Sequence, residues 1–163
     1  MRESVGARKR VTLERTFEAR LEDVWELWTT REGIESWWGP EGFRVEVRAL
    51  DLRPGGYLDY AMTATEADQI DFLKKAGMPI STEHRNTFTE VDAQRRLVYT
   101  SSVDFVPGVS PYEVTTSVEL EEKDGGVRLL LTLDAMHDAH WTGLMKAGWE
   151  SELGKLGGVL AAR

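Results

Sequence analysis

The sequence predicts an α+β fold in which one curved antiparallel sheet wraps around a long C-terminal helix. Two observations carry this. Between His137 and Arg163 the residues Trp141, Met145, Trp149, Leu153, Leu156 and Leu160 recur at steps of three and four, the period of a single helical face. A stripe of that bulk has to be buried, since each large apolar side chain gains roughly 1.5–3 kcal/mol on leaving water. Upstream, successive segments alternate apolar and polar residues with period two, as strands with one dry and one wet face do. Consecutive antiparallel strands curl, and only the terminal helix is long enough to fill the curve.

In chain order, residues 1–9 are polar and aperiodic, an irregular start. Val11, Leu13, Arg15, Phe17 and Ala19 then alternate with Thr12, Glu14, Thr16 and Glu18, giving a first strand. Arg15 is the charge on its apolar side, expected to snorkel towards a carboxylate at the sheet rim or, alternatively, to face a cavity. Leu21, Val24, Trp25 and Trp28 mark one short helix. A second begins near Thr29, whose spacing to Glu32 matches a capping box. That second helix presents Ile34, Trp37 and Trp38 before Gly39-Pro40-Glu41-Gly42 breaks it. Adjacent tryptophans cannot both enter one small core, so one is expected to border a space.

Strands follow over 43–49 and 57–62, joined by the Arg53-Pro54-Gly55-Gly56 turn. From Thr65 to Ala76 the pattern turns helical, with Thr65 as its cap and Ile70, Phe72, Leu73 and Ala76 on one side. This insertion is placed at the sheet edge or the cavity mouth, where it would serve as a lid. Further strands run over 81–91, 96–104, 112–122 and 127–135, the last two joined by the tight Lys123-Asp124-Gly125-Gly126 hairpin. A sheet bent around one helix leaves a gap wherever side chains are too small to fill it, and an apolar gap is a ligand pocket.

The 163 residues fit one domain spanning 1–163, with its core at about 11–160. Cysteine is absent, which excludes disulfides and thiolate metal sites. A net charge of -8 repels phosphate backbones and anionic headgroups, and Arg8-Lys9-Arg10 reads as a solvated strand entry. Neither nucleic acid nor a membrane is an expected partner. With no signal peptide and no long apolar run, the cytoplasm is the expected location.

Trp37-Trp38-Gly39-Pro40 with Gly42-Phe43, the Arg53-Pro54-Gly55-Gly56 turn, Arg96-Leu97-Val98-Tyr99-Thr100, and Gly148-Trp149-Glu150 ahead of Leu153 and Leu156 resemble the START-related SRPBCC superfamily. Within it they are most similar to the branch of homologues of the heat-shock chaperone ATPase activator, from about Val11 to Leu160. The resemblance implies a helix-grip (START/Bet v type) fold with a deep cavity between sheet and C-terminal helix, a cavity used across the superfamily for apolar molecules. It also implies two alternatives: a co-chaperone module that stimulates a chaperone ATPase, and a cyclase- or hydrolase-type enzyme using the same pocket. The insertion over 65–78 and the long 103–111 loop depart from the family's compact pattern and are expected to reshape the entrance.

The expected function is binding of a small lipid-like or aromatic molecule, without a cofactor. Trp37, Trp38, Phe43, Tyr60, Phe88, Tyr99, Met145 and Trp149 are expected to line the cavity, with His84, Asn86 and Ser101 as polar contacts. His84 shares a strand face with Asn86 and Phe88, and an imidazole there binds a carbonyl or exchanges protons near neutral pH. His137 and His140 with Asp138 have helix-face spacing for a metal but no clear further ligand, and Asp138 suits a helix cap better. No nucleophile elbow or phosphate loop is present, and catalysis is not expected. A chaperone and a second copy of the chain, as a homodimer, are partners left open. Of the glycines in the final helix, Gly148 is singled out for admitting a close neighbour, while Gly157 and Gly158 are read as tolerated at exposed positions.

Overall fold

The computed structural model describes residues 9–39 and 41–163; positions 1–8 of the expected irregular start, and Pro40 of the helix-breaking turn, lie outside the described residues. Strand β1 (Arg10–Phe17) leads into helices α1 (Leu21–Thr29) and α2 (Arg31–Trp37). Strands β2 (Phe43–Leu50) and β3 (Tyr57–Ala64) precede helix α3 (Ala67–Lys75), and β4 (Ser81–Asp92), β5 (Arg96–Val103), β6 (Tyr112–Lys123) and β7 (Gly126–Asp134) precede helix α4 (Ala139–Ala161). The seven strands make one antiparallel sheet in the order β1-β7-β6-β5-β4-β3-β2. First and last strands pair, with Leu13 opposite Leu131, so α1 and α2 must carry the chain from one sheet edge to the other.

The β6–β7 hairpin shows how local chemistry fixes register. Asp124 and Gly125 take φ values of 53° and 81°, the left-handed pair that a two-residue primed turn needs for its twist to match the strands. That register places Val127, Leu129, Leu131 and Leu133 on the concave face, all buried, beside Val118 and Leu120 of β6. Leu153, Leu156 and Leu160 of α4 join them in one core with Val24 and Leu27 of α1 and Ile34 of α2.

Helix ends differ from expectation in two places. Thr30 rather than Thr29 caps α2, accepting from the Gly33 N–H at 3.0 Å, while the Thr29 hydroxyl donates back to the Trp25 carbonyl at 2.6 Å. The shift by one residue puts Gly33 where the capping box needs Glu32, so no box forms. Thr65 does not cap α3: its N–H and hydroxyl both reach the Gly42 carbonyl, at 2.8 and 3.1 Å, and Glu66 holds the cap position without a side-chain bond. Asp138 caps α4 by accepting from the Trp141 N–H at 2.8 Å. Arg15 donates to the Glu14 carbonyl at 2.8 Å and not, among the described residues, to a rim carboxylate. Gly157 meets β1, since a Cβ there would lie 3.4 Å from the Phe17 ring. No helix among the described residues is long and apolar enough to cross a membrane.

Candidate functional site

The α2–β2 junction sets the closed end of the site. Trp37 is the last helical residue and Trp38 leaves the helix at φ -65°, ψ 143°, so their side chains diverge. Trp37 is 0 % exposed and donates its indole N–H to the Leu27 carbonyl at 2.7 Å, entirely within the core. Trp38 turns instead towards the sheet, meeting Trp149 edge-on at 5.5 Å, Tyr60 at 6.1 Å and Tyr99 at 6.4 Å between ring centroids.

Sheet register builds the walls. Tyr60 on β3 lies opposite His84 on β4, Asn86 opposite Ser101 on β5, and Tyr99 opposite Thr116 on β6, which in turn faces Leu133 on β7. The N-terminal half of α4 spans this surface with Met145, Gly148, Trp149 and Glu152, and the space left between is a cavity of about 700 Å³. Its mouth is lined by Asp104 and Phe105 from the β5–β6 loop and by Met136, Trp141 and Leu144 at the start of α4. Phe105 and Trp141 meet edge to face at 5.9 Å.

Of the eleven residues expected at the site, Trp38, Tyr60, His84, Asn86, Tyr99, Ser101, Met145 and Trp149 line this cavity. Trp37, Phe43 and Phe88 do not, and the expectation for them is corrected. Trp37 and Phe88 are sealed in the core, and Phe43 opens edge strand β2 away from the lining. Phe88 lies four residues past His84 on the same face, where the sheet is already covered. The lid expectation for 65–76 is corrected too, because none of those residues lines the cavity. Helix α3 instead sits beside the start of β2, with Gln69 and Glu66 against Gly42. The 103–111 loop, by contrast, does reach the mouth.

Spacing alone missed Glu152, although it stands three residues past Trp149 on the helical stripe and was the one carboxylate there. Its Oε1 accepts from the Gly39 N–H at 3.0 Å, while Lys155, one turn on, donates to the Gly39 carbonyl at 2.8 Å. Gly39 has φ +92° and a Cβ there would come within 2.9 Å of Val45, so only glycine fits this clamp. Glu152 keeps some surface open to the cavity, yet the aromatic side chains around it displace most of its water. This desolvation pushes its carboxyl up to about 7, against the opposing pull of the Gly39 N–H and the Lys155 ammonium.

The same desolvation raises Tyr60 to about 12, with Glu152 adding to it and Trp38 opposing. Tyr99 goes well above the usual phenol range for the same reason, helped by Tyr60 and Glu152. Both are therefore hydroxyl donors at any ordinary pH. Tyr99 is 3 % exposed and its hydroxyl has no hydrogen-bond partner; Thr116 lies near enough to ease its ionisation slightly but out of bonding geometry. His84 stacks on Tyr60 at 5.2 Å with its Nε2 2.7 Å from the Thr82 hydroxyl. Burial lowers its pKa, with Asp104 partly offsetting this, so the ring is neutral at pH 7. His137 is engaged by Tyr112 at 2.7 Å, and among the described residues no group of three or more His, Cys, Asp or Glu is placed to hold a metal ion.

No functionally curated protein matches the chain in sequence. Solved structures do match it in shape. A crystal structure of a Chromobacterium violaceum protein superposes with a TM-score of 0.76 at 22% identity, covering 93% of this chain and 96% of that one. The solution structure of the AHSA1-like protein from Aeromonas hydrophila gives 0.72 at 24% identity, covering 94% and 93%. The AHSA1 protein from Silicibacter pomeroyi gives 0.72 at 21% identity, covering 94% and 99%. At these identities the likeness shows the shared helix-grip fold. The sequence profile described as "Activator of Hsp90 ATPase homolog 1-like protein" matches residues 18–161, nearly the whole chain, and the protein therefore belongs to that family within the SRPBCC superfamily.

Proposed function

We propose that this chain is a single-domain cytoplasmic protein that binds a small, largely apolar molecule between its sheet and the N-terminal half of α4. The observation that carries the reading is the cavity itself. At about 700 Å³ it has the size of a small-molecule site and is walled largely by aromatic and aliphatic side chains, among them Trp38, Tyr60, Tyr99, Met145 and Trp149. A core that needed only stability would have filled this space, since voids forfeit packing energy.

The test uses an uncharged apolar dye, N-phenyl-1-naphthylamine, titrated against intrinsic tryptophan fluorescence. Trp149 and Trp38 border the cavity, so occupancy should change emission saturably, with affinity in the micromolar range, about -8 kcal/mol. The variant Gly148→Trp provides the control. Gly148 faces the cavity and a Cβ there meets nothing within 4 Å, so the indole occupies the void and should abolish dye binding while the protein stays folded. A wild-type protein that gives no saturable response, or a Gly148→Trp variant that binds equally well, removes the reading.

The family's description supports a second reading, stimulation of a chaperone ATPase, for which the side of α3 bearing Phe72, 65 % exposed, is the available apolar contact. An ATPase assay with the chaperone from the same source tests it. We expect no stimulation, and a reproducible rate increase at stoichiometric ratio would reverse the order of the two readings.

A further inference from the structure

We propose that the ligand carries an uncharged carboxamide, primary or cyclic, which the Asn86 side chain reads through a pair of hydrogen bonds, with Ser101 completing the contact. This rests on the binding reading above and names the chemistry of that same site.

Asn86 sits where the core ends and the cavity begins. On the inward face of β4 it stands between Phe88, sealed in the core, and His84, which lines the cavity. Its neighbours across the sheet are Leu58 on β3 and Ser101 on β5. Asn86 is 3 % exposed and lines the cavity, and its amide has no hydrogen-bond partner among the described residues. The amide is not walled off. Among the described residues, the side-chain atoms that are both fully sealed and unpaired are the Trp28 indole nitrogen and the Tyr99 hydroxyl. The Asn86 oxygen and nitrogen are not among them, so both keep some surface, and the cavity is what they face.

The polar groups nearby are engaged elsewhere. His84 has its Nε2 2.7 Å from the Thr82 hydroxyl. Arg85 is one residue along, hence on the other face of the sheet, where both Asp59 oxygens hold it at 2.6 and 2.7 Å. A nine-tenths-buried amide without a partner is costly, and a leucine of nearly the same volume would avoid the cost. An asparagine at this position is accounted for by a molecule that enters the cavity and pairs with it.

The side chain states what that molecule must offer. An asparagine amide presents a donor and an acceptor side by side in one plane. A primary carboxamide or a lactam presents the complementary pair, an N–H beside a C=O, and satisfies both at once. Donor and acceptor belong to one protein side chain, so their spacing is fixed by its covalent geometry. Residues directly opposite on neighbouring strands have Cβ atoms about 4.5–5.5 Å apart. The Ser101 hydroxyl, which has no partner among the described residues, is therefore within reach of a carbonyl oxygen bound to the Asn86 N–H, and donates to its second lone pair. An ester or a tertiary amide has no N–H and leaves the Asn86 carbonyl unpaired. A carboxylate only accepts, and it would shed its hydration where no lysine or arginine stands on the inward face of β4.

The experiment displaces N-phenyl-1-naphthylamine from the protein at pH 8 with octanamide, N,N-dimethyloctanamide and octanoate, each scaled to the dye's own affinity for the variant in use. In the wild type octanamide should bind most tightly of the three. Asn86→Leu should weaken octanamide at least about tenfold relative to the dimethyl compound, the weight of one good hydrogen bond to a buried partner. Ser101→Ala should weaken the two amides alike, since both keep the carbonyl. Because the Asn86 amide has no partner to lose, Asn86→Leu should melt no lower than the wild type. Asn86→Ala, which only enlarges the space, repeats the comparison if leucine disturbs folding.

If octanoate matches octanamide in the wild type, or if both Asn86 variants weaken the two amides equally, the carboxamide assignment is wrong while the cavity reading stands. If the dye binds and none of the three displaces it, the assignment is likewise overturned. If the dye itself does not bind, the binding reading has failed and this inference with it.

Discussion

Helix α4 carries one apolar stripe, and its two halves meet different surroundings. From Leu153 to Leu160 the stripe is buried in a core shared with Val24, Leu27 and Ile34 of the two short helices and with Leu129 and Leu131 of β7. From Trp141 to Trp149 the same spacing faces about 700 Å³ of unfilled space, and Leu144 beside it is 52 % exposed. The helical period reports which side of a helix faces inwards; whether anything is there to meet it depends on other elements. Here α1 and α2 pack across β6, β7 and β2 at one end of the sheet and leave the other end open. One half holds the fold together and the other holds the vacancy.

The largest test of this contrast is Leu156→Ala in the closed half. Leu156 is wholly buried, so the variant should lose about 2–5 kcal/mol in denaturant unfolding. Glu152→Gln should move stability the other way, with a pH signature. The Glu152 carboxyl keeps its proton up to about 7 in the folded chain, against an ordinary value of 4.5. Between those values the folded state binds more protons than the unfolded one, so the wild type loses stability as pH rises through the window. At pH 8 the cost is complete, and Glu152→Gln should be more stable than wild type by on the order of 2–3 kcal/mol. At pH 4 the two should melt together. An equal difference at both pH values would show that the carboxyl is not held protonated by its surroundings.

Smaller effects sharpen the boundary. Leu73 is the buried residue of α3, and Leu73→Ala should cost about 2 kcal/mol, the low end for a truncated leucine, without changing dye affinity. A loss of affinity at unchanged stability would return α3 to the role of a lid. Leu144→Ala, at the exposed mouth, should change unfolding free energy by no more than about 0.5 kcal/mol. Should it instead cost as much as Leu156→Ala, the two halves of α4 are one core after all.

The fold was legible because its signals are periodic and redundant. Alternation on seven strands, the Asp124-Gly125 turn and the stripe on α4 each specify the same curved sheet around one helix. The site was legible only where the face of an element decides exposure: Tyr60, His84 and Tyr99 follow from alternation, and Trp38 from its adjacency to Trp37. Phe88 was misplaced because alternation fixes the face and not the position along it, and it stands in the buried core; Trp37 was misplaced because adjacency does not say which of two tryptophans turns inwards, and its indole bonds the Leu27 carbonyl within the core. Glu152 escaped notice because a lone carboxylate on an apolar stripe looks like an interruption. Its meaning lies in the bond to Gly39, 113 residues away in the chain, which no local pattern encodes.

That bond has a mechanical corollary. Glu152 and Lys155 grasp the N–H and the carbonyl of one residue, and just beyond them Leu153, Leu156 and Leu160 are embedded. Helix α4 is thus held along its C-terminal part by buried leucines and the Gly39 clamp, while from about Ser151 back to Ala139 it is held by fewer contacts, among them Trp149 on Trp28 at 5.9 Å and the Thr142 hydroxyl on the Met136 N–H at 2.9 Å. Gly143 and Gly148 lie in this span, where a Cβ would meet nothing within 4 Å, and glycine in a helix interior lowers its backbone stiffness. Adjustment of the mouth to an entering molecule is therefore expected in the first turns of α4, with the Gly39 clamp left in place.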